Sequence, residues 1–188
     1  MPRHPDTRQR IERAAVVLFA SKGVDATTTK EIAAAVGISE GAIYRHFKSK
    51  DELVWHLFST NYFDLARRID AMLDETPSFA DRIDGAIGLF CTLFDRDAEL
   101  FAFVLISQHG QLRRLEDGMP NPVASLRGMF QAAIDAGECR ASDADIMTAM
   151  ALGLVIQPAT FLIYGRLQPP MSRLAPALAE AAKRVLLP

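Results

Sequence analysis

Apolar residues recur three and four positions apart along most of the chain, with no sustained run of alternating apolar and polar residues. The pattern predicts an all-α protein of about nine helices. Ile11, Ala14, Ala15, Leu18 and Phe19 share one face of a first helix over residues 7–22. Asp6 stands at its N-cap with Gln9 three residues on, and Gly23 stands where the chain leaves the helix. A second, shorter helix is expected over 29–36. Thr28 caps it, Glu31 closes the capping box, and Ile32, Ala33 and Val36 point inward. Gly37 permits a sharp turn into a third helix, capped by Ser39 and ending near Phe47. Ser49 and Glu52 open a fourth that continues to about Leu73 before Glu75-Thr76-Pro77 breaks it. At ~1.5 Å per residue that helix is on the order of 35 Å long.

Further along, Ser78 caps a helix over 79–94 whose buried stripe is Ile83, Ala86, Ile87, Phe90 and Phe94. A sixth helix starts at Ala98 and ends near Gly110. A seventh starts at Pro122, a residue suited to the first helical position, and ends at Gly137. Ser142 caps an eighth that runs toward Tyr164 with a bend at Pro158, and a ninth lies within 172–187. The run from Ile146 to Gly165 holds no charged residue and has the length of a membrane span. Thr148, Gly153, Gln157, Pro158 and Thr160 dilute it, so a soluble helix is expected. In a small all-α chain, a helix this apolar calls for a second subunit to cover it.

Charge adds one asymmetry. The net charge is −2. Residues 1–50 hold nine basic against five acidic residues, +4, and the remainder holds twelve against eighteen, −6. A basic head on an acidic body suits a protein that meets phosphate at one end. The first ten residues carry no apolar signal segment. Cys91 and Cys139 form no metal or disulfide pattern, which fits a reducing cytoplasm. No metal or other cofactor is expected. No nucleophile motif, phosphate loop or singled-out carboxylate pair points to an enzyme.

The chemistry concentrates in the third helix and its flanks. A helix that reads DNA in the major groove needs short side chains where its backbone approaches the bases. Ser39, Gly41 and Ala42 supply them at the N-terminal end, and Ala42 can touch a thymine methyl. Arg45 can reach a guanine or a phosphate. Tyr44 and His46 can donate to phosphate, while Ile43 and Phe47 fall on the core side. Lys50 with the start of the fourth helix, and Thr27 and Thr28 with the start of the second, offer flanking phosphate sites. Glu40 is the one acidic residue on this face.

The segment from Arg8 to Phe58 resembles the DNA-binding domain of the tetracycline-repressor (TetR) family. The resemblance rests on Ile11, Ala14, Ala15, Leu18, Phe19 and Gly23, then Thr28, Ile32, Ala33, Gly37, Ile38, Ser39 and Gly41, then Tyr44-Arg45-His46-Phe47, Ser49-Lys50 and Leu53. It implies a helix-turn-helix domain at 1–50 and a helical ligand-binding and dimerisation domain at 51–188. It implies a cytoplasmic homodimeric regulator of transcription, most often a repressor, released from a near-palindromic DNA operator by a small effector. A DNA-bound structural or partner-docking protein of the same fold is the alternative. The last two long helices are implied as the dimer interface, with Ala149, Gly153, Ile156, Leu178 and Val185 as candidates. The fourth helix is implied as the link between effector and head.

The body between the fourth and eighth helices is rich in large apolar groups with few polar ones, which suits a hydrophobic or aromatic ligand. Phe58, Tyr62, Phe90, Phe94, Phe101, Val104, Met129, Met150 and Phe161 are the candidate contacts, with His109 and Gln157 as orienting groups.

Overall fold

The structure is a computed structural model and describes residues 6–139 and 143–187. Among these residues it contains nine α-helices, two short 3-10 turns and no strand. The helices are α1 (Thr7–Lys22), α2 (Thr29–Val36), α3 (Glu40–Tyr44), α4 (Lys50–Glu75), α5 (Phe79–Arg96), α6 (Ala98–Gln111), α7 (Pro122–Asp135), α8 (Ala144–Ile163) and α9 (Ala175–Leu186). The chain divides into two compact units, Met1–Asn61 with Glu99–Asp117, and Tyr62–Ala98 with Gly118–Pro188.

In the first unit α1 packs on α2 and α2 on α3. Local chemistry sets their ends. The Asp6 carboxylate accepts from the Gln9 amide at 2.9 Å. At α2 the Thr28 hydroxyl accepts from the Glu31 amide while the Glu31 carboxylate accepts from the Thr28 amide, a complete capping box. Gly37 closes α2 at φ 74°, a left-handed conformation that glycine adopts without steric cost. Ser49 accepts from the Glu52 amide at 3.0 Å and starts α4. Ile11, Phe19, Ile32, Ile43, Phe47, Leu53 and Phe58 are all but excluded from solvent. Phe103 of α6 joins them, its ring stacked 5.6 Å from Phe19. Arg13 pairs with Glu99, and Arg114 pairs with Asp51 and lies over the Trp55 ring. Most of α6 therefore shares a compact unit with α1–α3, which a division after residue 50 does not anticipate.

The expected third helix is shorter in the structure. It ends at Tyr44 rather than near Phe47. Ser39 occupies the cap position, but its hydroxyl makes no capping bond. In the tight first turn the Ala42 amide, the group three residues on that such a cap would satisfy, donates instead to the Ser39 carbonyl at 2.9 Å.

In the second unit α5 packs on α8 and α9, α7 on α8, and α8 on α9. Ile69, Phe130, Met147, Ala159 and Met171 are fully buried, and Phe79 meets Phe130 edge-to-face at 5.9 Å. The Asp95 carboxylate anchors the approach to α9 by accepting from the Met171 and Ser172 amides at 2.6 and 2.9 Å. Ser142, the expected cap of α8, lies outside the described residues. Asp143 accepts from the Asp145 and Ile146 amides in that role. Pro158 sits inside α8, which runs through it to Ile163. α8 is long and apolar enough to cross a membrane, and only 22% of its most apolar stretch is buried.

Candidate nucleic-acid interface

The candidate interface is one edge of α3 with the ends of α2 and α4 beside it. The short α3 sorts its residues by face. Ile43 and Phe47 are 1% exposed and fall on the inner side, where α3 packs on α2. Ser39, Glu40, Gly41, Tyr44, Arg45 and Lys48 are exposed on the other side. Gly41 has no structural reason to be glycine. It takes no positive φ, and a Cβ there would meet nothing within 4 Å. Glycine in a helix costs ~1 kcal/mol against alanine. What it supplies is bare backbone facing outward, which permits close approach of another molecule.

Three expected contact residues have other duties. Ala42 is buried at 7% exposure, so its methyl faces the core rather than the groove. Thr27 is fully buried, and its hydroxyl donates to the Gly23 carbonyl at 2.8 Å, tying the α1–α2 turn. Lys50 is half-buried, and its ammonium donates to the Val24 and Thr27 carbonyls, each at 2.9 Å. It pins that same turn to the start of α4. Thr28 is exposed but spends its hydroxyl in the capping box. His46 is half-buried beyond the end of α3.

Other basic residues of the head are also engaged within it. Arg8 pairs with Glu12 at 3.1 Å and stacks over Phe47 at 4.5 Å, and His56 meets the same Glu12 oxygen at 2.9 Å. Arg10 donates to the Val36 carbonyl. Lys22 pairs with Glu31, whose carboxyl is pulled down to about 2 by that bond and by the bonds from Thr28. Arg45 and Lys48 form no ion pair among the described residues, so their charge faces outward. Lys48 was not anticipated as a contact. Thr29 was not either: its hydroxyl bonds the Glu40 carboxylate and lies 3.3 Å from the Tyr44 hydroxyl. No local pattern announces that cluster, because α2 supplies one member and α3 the other two.

The body residues scatter more. A small apolar cavity of about 30 Å³ lies in the second unit between α5, α7, α8 and α9. Phe90 and Met129 line it, together with Ile87, Leu126, Val155 and Leu186 among others. Phe58, Tyr62 and Phe94 are buried elsewhere. The Tyr62 hydroxyl donates to the Asn121 side chain, and burial pushes its ionisation up to about 12. Phe101, Val104 and Phe161 are half-buried. His109, Met150 and Gln157, the first and last expected to orient a ligand, are exposed and do not line the cavity. Of the expected dimer contacts, Ala149, Gly153 and Val185 are exposed and Ile156 and Leu178 are half-buried. Ile146, Ala149, Met150, Gly153 and Gln157 form a continuous exposed stripe along α8.

Comparison with known proteins bears on the head first. The family described as bacterial regulatory proteins, tetR family, matches residues 11–57. The HTH-type transcriptional repressor KstR2 of Mycolicibacterium smegmatis is 32% identical over 117 residues, 62% of this chain and 55% of that protein. The nucleoid occlusion factor SlmA of Idiomarina loihiensis is 30% identical over 115 residues, 58% of this chain and 59% of that protein. The chain thus spans little more than half the length of these relatives. Among solved structures, the regulator FadR from Bacillus subtilis, in complex with stearoyl-CoA, superposes with a TM-score of 0.73 at 20% identity, covering 93% of this chain and 96% of that one. That likeness extends the shared fold beyond the head to nearly the whole chain. The first quarter of the chain, residues 11–57, thus matches the family of bacterial regulatory proteins, tetR family, and the all-helical body behind it shares its fold with a solved transcriptional regulator.

Proposed function

We propose that this chain is a cytoplasmic transcriptional regulator that binds double-stranded DNA as a homodimer and represses until an apolar effector releases it. The observation that carries the DNA reading is the sorting of α3. Ser39, Glu40, Gly41, Tyr44 and Arg45 face out while Ala42, Ile43 and Phe47 face in, inside a segment that matches the family's DNA-binding helices. Two copies related by a two-fold axis place their recognition helices ~34–36 Å apart, in successive major grooves of a near-palindromic site.

The stripe on α8 supports the homodimer. Ile146 is 56% exposed, and small Ala149 and Gly153 flank it on a surface without charge. A second copy of the same stripe covers it, and the absence of side chains at Gly153 lets the helices approach closely. Val185 of α9, 47% exposed, extends the surface.

For the effector, the all-apolar lining of the cavity favours hydrocarbon over polar groups. At about 30 Å³ it holds roughly one water, against ~300 Å³ or more for a typical ligand site, so binding opens it. The stearoyl-CoA bound to the structurally similar FadR is in line with a flexible apolar ligand here. The signal then passes along α4, whose residues 50–61 belong to the first unit and 62–75 to the second. A coupling of ~1–3 kcal/mol suffices to change DNA occupancy.

Retention of genomic fragments by the purified protein tests the reading, with release on adding saturated acyl compounds. Enrichment of a discrete set of palindromic fragments supports it, and uniform retention of all DNA counts against it. The likeness to a nucleoid occlusion factor favours a second reading, a DNA-bound partner-docking protein. Many dispersed sites without neighbouring regulated genes would favour that reading over a repressor.

A further inference from the structure

Glu40 is the one acidic side chain on the face proposed to meet DNA, and phosphate contact gives it no role. Its surroundings do. A carboxylate only accepts hydrogen bonds, so the Thr29 hydroxyl spends its single hydrogen on Glu40 Oε1. The Tyr44 hydroxyl lies 3.3 Å from that same Thr29 oxygen and must then be the donor to it. The relay therefore runs one way, from Tyr44 through Thr29 to Glu40, and what remains facing outward is lone pairs. Thr29 is the first residue of α2, directly after the capping box that fixes Thr28 and Glu31, so the tether ends on a rigid element. No Lys or Arg pairs with Glu40 among the described residues, and its charge stays unneutralised.

We infer that Glu40 sets the base preference of the head, its outward oxygen accepting from the N4 amino group of a cytosine in the major groove. The inference rests on the proposed DNA reading. Among the four bases, cytosine offers a donor at this edge with no acceptor beside it. The adenine N6 donor sits next to the N7 acceptor, and guanine and thymine present acceptors that repel a carboxylate. Tethering by Thr29 removes rotamer freedom from Glu40 before DNA arrives, so less is lost on contact.

The test is selection of bound duplexes from a random library with the full chain, followed by titration of single-base variants. The wild type is expected to select cytosine at one position of each half-site, at least about tenfold over other bases. Glu40→Gln is expected to move that position to adenine, whose N6 and N7 suit an amide, with the other positions unchanged. Thr29→Val is expected to keep cytosine but narrow the margin; an unchanged margin overturns the tether. A Glu40→Gln protein that selects the wild-type sequence overturns the inference. So does one that gains affinity for all sequences alike, since Glu40 is then only a charge repelling phosphate. A wild-type chain that selects no sequence overturns the DNA reading and the inference together.

Discussion

Replacing Lys50 by Met separates a fold role from a DNA role. The methionine keeps the apolar stem and removes the ammonium that bonds the Val24 and Thr27 carbonyls at 2.9 Å. Charge-assisted bonds of this kind contribute ~1.5–3 kcal/mol each when buried. Lys50 is only half-buried, and water replaces part of each bond, so the two together are set at about 2 kcal/mol. For a chain of this size each kcal/mol moves the unfolding midpoint by ~2–4 °C, which gives a fall of about 4–8 °C. Thermal unfolding by circular dichroism measures it. DNA titrations across salt concentrations run alongside, because a lysine that neutralises a phosphate steepens the salt dependence by ~0.9. The reasoning expects a lower midpoint with little change in slope. A midpoint unchanged within 1–2 °C (about half a kcal/mol), with a slope shallower by ~0.9, would return Lys50 to the phosphate contact it resembles in sequence.

Three further outcomes follow from the same geometry. Tyr44→Phe is expected to leave the affinity for random DNA unchanged, since the hydroxyl hydrogen is turned toward Thr29; a uniform loss of about tenfold across sequences would make Tyr44 a phosphate donor after all. Gly153→Asp places a charge on the exposed stripe of α8 and is expected to yield monomers in sedimentation, and an intact dimer would move the interface elsewhere. At Asp95, burial pushes the carboxyl up, but the bonds from Ser172 and the Met171 amide outweigh it and hold it below its usual value. A group lowered in the folded state stabilises above its unfolded pKa and loses that contribution as pH falls through the folded one. The wild type should therefore lose stability below about pH 4 more steeply than Asp95→Asn. Asp95 is exposed, so at neutral pH the substitution should cost only about 1 kcal/mol; parallel acid curves for the two proteins would contradict the anchor.

The helix starts were legible because their causes are local. Asp6, Thr28 and Ser78 each cap an amide three residues away, and α1 and α2 begin and end where their patterns place them. Ser39 has the same residue type and spacing yet does not cap, because the tight turn after it satisfies the amide through the backbone. The site was less legible for a related reason. Sequence shows that Lys50, Arg10 and Thr27 are polar, but only the packing of α1, α2 and α4 shows that carbonyls of the turns consume them. The +4 charge of the first fifty residues thus overstates what faces outward. Conversely, Glu40 looked misplaced in sequence and finds its partners only when α2 meets α3. Of the exposed α8 stripe, sequence singled out only Ala149 and Gly153; Met150 and Gln157 read as ligand contacts, since a run without charge does not show which of its faces the neighbouring helices cover. The other body candidates were no more legible, since large apolar residues at helical spacing belong equally to core and cavity, and only Phe90 and Met129 proved to line the latter.

The central claim is a two-fold reader of DNA, and hydroxyl-radical footprinting on an enriched genomic fragment tests it most directly. The account predicts two protected segments on one face of the duplex, their centres ~10–10.5 base pairs or a multiple apart, with symmetric half-sites and two protomers per site. A single protected segment at one protomer per site, or protection that follows no sequence, would contradict it.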